Sequence, residues 1–455
     1  MARLSGFFVS GVNMNDVSRA EIISFNTDND AVCAASARIS TTEGNSAEIF
    51  LKSQNNEKNG GLIRKVLASG HRSVIEHAVF TISFTNVSVY VEQFFIESRL
   101  ASFTVKSRRY VDFSNTGYYI PENLGKESAD LYKEYMDAAF LAYAKLLELE
   151  IPKEDARFLL PYSFFSNFYC TMNARELIGL INSIRNGRGK HSEELQNIAE
   201  QLIEQLREIF PCISEEFFGR EDGEFANRSA DCEKMTKLYE NETGKVELVN
   251  APKEPAKLLE IALKATGESV KSPKELLSDR RPRALEQLSY SFLIKDVTLA
   301  GITHIVRHRM QSVIVPPIEN AVPKRRVVLP KTVEQNPKAR EIYEQTLEKC
   351  DGLLSLVMKN SELCRYICYF ALSGNLLDVM TTMNARELLL FIRLRACSRA
   401  QWEVRGISER MLSLLRADYP ELFGLYGPSC YVLGNCPEGR MCCGKQKEMM
   451  EKFGK

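Results

Sequence analysis

The sequence predicts an α+β fold built twice in tandem, each copy a mainly antiparallel sheet packed with helices. Three observations predict it. The tetrapeptide Asn-Ala-Arg-Glu occurs at 173–176 and again at 384–387, both times after Thr-Met and before Leu. The pairs Glu76 and Glu286, Arg99 and Arg309, and Ser102 and Ser312 all share one spacing of 210 positions, and Asn173 and Asn384 stand 211 apart. One offset held over separated motifs marks a duplicated domain. Two copies, rather than a long array, predict a fused pair that mimics a homodimer and not a solenoid. Finally, apolar residues alternate over short runs in both halves and recur with helical spacing between them.

The first copy is read as residues 1–219 and the second as 245–455, joined by a polar, charged linker at 220–244. Ala20-Glu-Ile-Ile-Ser and its counterpart Lys245-Val-Glu-Leu-Val read as opening strands. Phe80, Ile82 and Phe84 alternate with Thr81, Ser83 and Thr85, and Leu288, Tyr290, Phe292 and Ile294 alternate likewise. Both predict strands buried on one face. Tyr132–Leu149 and Ile342–Val357 predict amphipathic helices. Each Asn-Ala-Arg-Glu predicts a helix start, with Asn as N-cap and Glu three residues on in a capping box.

At 455 residues the chain can bury two separate cores. Lys plus Arg equals Asp plus Glu at 59 each, so no whole-chain field favours nucleic acid or a membrane surface. Met1–Val12 is too short for a signal peptide and no stretch reaches the length of a membrane span, which predicts a cytoplasmic protein. Its 12 Cys are then reduced thiols, with scattered ones such as Cys33 and Cys170 in the core.

Leu388, Phe391, Ile392 and Arg395 form one helical stripe. A guanidinium at the end of an apolar face stays charged and needs an anion or several acceptors, supplied by an internal ion pair or by a ligand. In the first copy Ile184 takes that place, and Arg185 is turned about 100° away. Arg307-His308-Arg309 suits a polyanion such as a pyrophosphate, or else forms a solvated basic surface. Cys430, Cys436, Cys442 and Cys443 cluster near the C-terminal end, as free thiols or as candidate metal ligands, although the spacing is not that of a usual zinc site. No Ser-His-Asp triad or Walker loop is evident.

Taken in order, these motifs resemble the flavin-dependent thymidylate synthase family. Its pattern has a Glu-His pair before a strand, then RHRxxSxNExSxRY, later NAR…LR and AQWE. The first copy has Glu76-His77, then Glu97-Ser98-Arg99 through Ser102 to Ser107-Arg-Arg109-Tyr110. The second has Glu286-Gln287, Arg307-His308-Arg309 through Ser312, and Asn384-Ala-Arg386 through Arg395 to Ala400-Gln-Trp-Glu403. The resemblance implies conversion of dUMP to dTMP, with methylenetetrahydrofolate as carbon donor and NADPH-reduced FAD as hydride source. It also implies activation by an Arg that stabilises charge on the base, a role matching Arg395. Arg307, His308, Arg309, Ser40, His71, Ser73, Asn173, Arg175, Asn384 and Arg386 match flavin positions. Ser107, Arg109 and Arg157 match nucleotide positions, and His304 stands where a Gln meets the base. A family tetramer with sites between subunits implies here a homodimer forming a pseudo-tetramer.

Neither copy is complete. The first has Glu97-Ser98 in place of Arg-His, and Val105 in place of Glu. The second has Pro317 and Glu319 in the nucleotide loop, Cys368 in place of the phosphate Arg, and Arg281 and Arg283 near Glu286. Complementary losses predict a division of labour. Yet the family's phosphate and activating Arg share a subunit, whereas Arg157 and Arg395 fall in different copies. Two further readings stand beside a working synthase: a flavoenzyme acting on another pyrimidine nucleotide, and a non-catalytic nucleotide-binding relative.

Overall fold

A computed structural model of the chain describes residues 17–217, 239–240, 243–269 and 271–454. Met1–Val12 and most of the 220–244 linker lie outside the described residues.

The first sheet contains β1 (Arg19–Phe25), β2 (Val79–Ser88), β3 (Ala101–Val105) and β4 (Phe165–Asn173), in the order β1-β2-β4-β3 with every neighbour antiparallel. The second contains β5 (Lys245–Asn250), β6 (Ser289–Thr298), β7 (Gln311–Ile314) and β8 (Leu376–Asn384), in the equivalent order β5-β6-β8-β7, again antiparallel. The alternation seen in sequence is the burial pattern. Phe80, Ile82 and Phe84 are buried, as are Tyr290, Phe292 and Ile294. In the first sheet Phe84 stacks on its cross-strand partner Phe168 at 4.3 Å.

Both central strands carry the same irregularity. Register shifts between Phe84 and Val87 in β2, and beside Leu377–Val379 where β8 meets β6. Asn86 (φ 49°) and Asp296 (φ 58°) are left-handed there, a conformation Asn and Asp tolerate best among residues with a Cβ. The bulge precedes a capped turn into a helix. Ser88 accepts from the Val91 N–H at the start of α4 (Val89–Ile96). Thr298 accepts from the Gly301 N–H at the start of the corresponding helix, α9 (Leu299–Ile305).

Around the first sheet lie α1 (Asn29–Arg38), α2 (Ser46–Ser53), α3 (Asn59–Ala68), α4, α6 (Ala174–Arg185) and α7 (Glu193–Ile209). Two glutamines of α7 satisfy the backbone of edge strand β1: Gln201 accepts from Ala20 N–H at 2.9 Å and Gln205 from Ile22 N–H at 2.8 Å. With the second sheet belong α8 (Pro255–Ala265), α9, α11 (Ala385–Arg395) and α12 (Trp402–Asp418). The predicted amphipathic helices are α5 (Lys126–Glu148) and α10 (Pro337–Val357), both starting earlier than the apolar pattern suggested. Among the described residues no helix is long and apolar enough to cross a membrane.

The compact units do not follow a simple cut between the copies. Among the described residues, one gathers 17–136, 162–217 and 356–369; the other gathers 137–161, 239–355 and 370–454. A segment of each half is thus built into the unit of the other half. In the second unit, Ser373 and Gly374 N–H donate to the carbonyls of Leu160 and Phe158 at 2.8 and 2.9 Å. Phe158, Ala300, Val328 and Leu376 share one apolar cluster, with Trp402 against it. In the first unit, Tyr369 hydroxyl donates to the buried Glu194 carboxylate at 3.0 Å and Asn360 donates to Ser128 at 3.0 Å.

Candidate functional site

Arg395 ends α11 as the stripe predicted. Leu388, Phe391 and Ile392 are fully buried and Arg395 is half-buried. Its Nε donates to His308 Nε2 at 3.0 Å and its Nη2 to the His304 carbonyl at 3.1 Å. These two contacts fix where the guanidinium lies at the end of the apolar stripe. On its other side the His308 ring meets Glu387: Nδ1 lies 2.9 Å from Oε1, with both side chains nearly inaccessible. An imidazole that accepts from Arg395 at Nε2 and stays neutral carries its hydrogen on Nδ1, on the side facing the Glu387 carboxylate. Burial lowers the His308 pKa below its ordinary value and Arg395 lowers it further, while Glu387 pulls it up.

The Arg-His-Arg triplet occupies the turn between α9 and β7, not a helix. His308 is buried between exposed Arg307 and Arg309. The turn is pinned by Gln311, which donates to the Ile305 carbonyl at 2.6 Å and accepts from Thr381 Oγ1 at 2.7 Å.

Both Asn-Ala-Arg-Glu elements are helix starts, but the expected capping box is only half made. Asn173 and Asn384 accept from the N–H of Glu176 and Glu387 at 3.0 and 2.9 Å, while neither glutamate side chain completes the return bond. Glu387 instead serves His308, a role that the cap pattern concealed. Arg175 pairs with Glu76 at 2.6 Å and Arg386 pairs with Glu286, both partly exposed. Glu76 and Glu286, first noticed for their spacing alone, are thus the partners of the repeated arginines.

Arg157 lies in the second unit with Arg395, although its sequence belongs to the first copy. It is buried, with its guanidinium beside the Phe158 ring. Glu403, buried and pushed up by that burial, accepts from Thr298 N–H at 2.9 Å and from its hydroxyl, and the nearby charge of Arg157 pulls it back down. Asp155 accepts from Trp402 Nε1 at 2.7 Å and Thr332 Oγ1 at 2.6 Å. Sequence reasoning quoted Trp402 and Glu403 as motif residues without finding these roles, and missed Asp155.

The first unit treats the same positions differently. Glu97, at the place of Arg307, pairs with Arg188 and accepts from Gln93 at 2.8 Å. Arg188 Nη2 donates to the Phe94 carbonyl at 3.2 Å, and its guanidinium lies 4.2 Å from the Phe94 ring. Phe94 is the counterpart of His304. Arg188, not Arg185, therefore brings a guanidinium to the carbonyl that Arg395 meets in the second unit, and Glu97 neutralises it. Arg185 pairs with Glu200 on α7.

The loop that follows β3 in this unit is anchored by Arg108. It forms a buried pair with Glu92 at 2.5 Å, and Glu92 also accepts from Ser166. Ser107 and Arg109 flank it half-buried, with Ser107 Oγ accepting from Arg109 N–H at 3.3 Å. Ser40, His71 and Ser73 are exposed on loops and a short 3-10 turn of the same unit. Cys430 is buried, Cys436 half-buried and Cys442 exposed; among the described residues no group of three or more His, Cys, Asp or Glu is arranged to hold a metal ion. Cys33 and Cys170 are core thiols.

Two equivalent antiparallel sheets with repeated Arg-bearing helix starts, one of them supporting a chain from half-buried Arg395 through buried His308 to Glu387, describe one domain built twice. The family model described as "Thymidylate synthase complementing protein" matches residues 21–212 and again 231–421. A flavin-dependent thymidylate synthase of Geobacter sulfurreducens is 34% identical over 188 residues, which cover 39% of this chain and 78% of that protein. One from Clostridium tetani is 34% identical over 200 residues with the same coverages, and one from Saccharolobus solfataricus 29% over 215 residues, covering 45% and 82%. A solved UMP/dUMP methylase from Streptomyces cacaoi, bound with 5-Br dUMP, aligns with TM-score 0.38 and 23% identity over 44% of this chain and 95% of its own. The chain belongs to the flavin-dependent thymidylate synthase family, a family of methyltransferase enzymes.

Proposed function

We propose that this enzyme converts dUMP to dTMP with methylenetetrahydrofolate as carbon donor and NADPH-reduced FAD as hydride source, and that the second unit carries the chemistry. The observation behind this reading is the setting of Arg395. Its guanidinium stands half-buried at the end of an apolar stripe and donates to His308 and to the His304 carbonyl, in the unit that also contains Arg157 and Arg307–Arg309.

Each side chain then has a task. Arg395 stabilises the negative charge that develops on the pyrimidine as its ring carbon becomes nucleophilic, so no cysteine nucleophile is required. Arg157 meets the nucleotide phosphate, with His304 on the base side. Arg307 and Arg309 present guanidinium forks on one exposed turn, donor chemistry that fits the pyrophosphate of FAD. Asn384 and Arg386 flank it. Bound and reduced, the flavin supplies the hydride. In the first unit Ser107 and Arg109 serve a nucleotide phosphate, and Ser40, His71, Ser73, Asn173 and Arg175 serve the flavin side. Two chains assemble as a homodimer carrying four copies of the domain.

The test is product formation from dUMP, methylenetetrahydrofolate, NADPH and added FAD, with UMP in parallel. Thymidylate from dUMP, absent with Arg395→Ala, supports the reading. Methylation of UMP alone moves the substrate to the ribonucleotide. No product from protein that holds FAD refutes the assignment of both nucleotides.

A further inference from the structure

We infer that Glu387 is a positioning residue that acts through His308, and that this pair, rather than a direct ligand contact of the histidine, sets the orientation of Arg395. The inference rests on the proposed role of Arg395 as the base-activating group.

The argument is one of proton placement. Arg395 can only donate, so its Nε–H at 3.0 Å needs a lone pair on His308 Nε2. A neutral imidazole offers that lone pair only when Nδ1 holds the proton. Glu387 Oε1 at 2.9 Å accepts a hydrogen bond from Nδ1–H and so selects the tautomer. Were His308 protonated, or its proton moved to Nε2, two N–H groups would face each other and the guanidinium would lose this support. Burial of the ring, the neighbouring Arg395 charge and the edge-on Phe391 ring 4.8 Å away all favour a neutral, immobile imidazole.

Two observations give the chain a function beyond packing. Glu387 stands at the third position of its helix, where its carboxylate could complete the capping box, yet it turns to His308. And the first unit, where Ile184 stands in place of Arg395, also lacks the histidine: Ser98 stands there, and the Glu176 counterpart is only half-buried. The glutamate is buried against a ring only in the unit whose helix carries an arginine at the position of Arg395; the Arg188 of the first unit is met by Glu97 instead.

The experiment reads the tautomer first. Imidazole nitrogen NMR of the ligand-free protein, with the His308 signal among the five histidines assigned by its loss in His308→Gln, is expected to show a neutral ring protonated at Nδ1. Glu387→Gln keeps an acceptor and should keep this signature and most of the turnover. Glu387→Ala should lose it and lower kcat about tenfold to a hundredfold, taking as a guide the loss when the carboxylate behind a metal-bound histidine is removed, with KM for the nucleotide little changed. A ring protonated at Nε2 in the wild type overturns the inference, as does a Gln variant impaired as severely as the Ala variant. If the wild type makes no thymidylate, the proposed reaction fails while the tautomer measurement still decides the geometry.

Discussion

The buried pair of Arg108 and Glu92 offers a quantitative test of how the two units diverged. In the first unit Arg108, Glu92 and Ser166 are all buried and joined to one another. At the matching positions the second unit has Ile318, Ile302 and Leu377, also buried. One unit thus solves the site with an ion pair and a hydroxyl, the other with three aliphatic side chains. Replacing Arg108 alone with Ile leaves a carboxylate in a site with 0% side-chain exposure, at a cost of about 3–5 kcal/mol. Importing the whole aliphatic set, E92I/R108I/S166L, removes the uncompensated charge and should return stability to within about 1 kcal/mol of wild type or above it. Urea unfolding followed by circular dichroism, with amide exchange of β2 and β4 locating the change, measures both variants. Because Arg108 sits between Ser107 and Arg109, R108I should also weaken nucleotide binding in the first unit. A triple variant as unstable as R108I, or an R108I variant as stable as wild type, refutes the reasoning.

The two guanidiniums that meet equivalent carbonyls should behave oppositely: Arg395→Ala abolishes turnover with the fold intact, whereas Arg188→Ala, which releases Glu97 and the Phe94 contacts, leaves turnover near wild type; equal losses would contradict the assignment of chemistry to the second unit. Turnover should also fall with pH. The folded pKa of His308 lies below its ordinary 6.5, so the neutral ring that supports Arg395 persists above that value and is lost as pH falls through the lowered one, an acid limb that Glu387→Gln should move further down because the carboxylate raises the pKa. Trp402 is the chain's only Trp and donates to the buried Asp155. Asp155→Ala should therefore shift Trp402 emission to longer wavelength and cost about 1–3 kcal/mol, read by fluorescence-monitored unfolding, while an unchanged spectrum would place the indole elsewhere.

The sequence by itself determined the repeated local structure. Alternating apolar residues announced β2 and β6, Asn-Ala-Arg-Glu announced the starts of α6 and α11, and the stripe Leu388, Phe391, Ile392 and Arg395 placed a charge at the end of an apolar face. Each of these is set by neighbours within one or two turns, and periodicity exposes them. The shared offset also made the duplication and its unequal motifs legible. Only tertiary structure decided which segments complete each unit. Nothing local marks Asp137–Pro161 or Leu356–Tyr369 as belonging with the other half, because the contacts that place them, such as Trp402 with Asp155 and Tyr369 with Glu194, span 247 and 175 residues. That exchange puts Arg157 in the same compact unit as Arg395, although the linear order had placed them in separate copies. Glu387 was misread for a related reason: its position in the helix matches a capping box, and only the arrival of His308 from 79 residues away gives its carboxylate a better partner. Arg188 likewise lies beyond the end of α6, outside the helical register in which a counterpart of Arg395 was sought, and reaches the Phe94 carbonyl only because the chain turns back after the helix. Local propensity fixes where elements start and which face is apolar; which donor finally meets which acceptor depends on chain segments far apart in sequence.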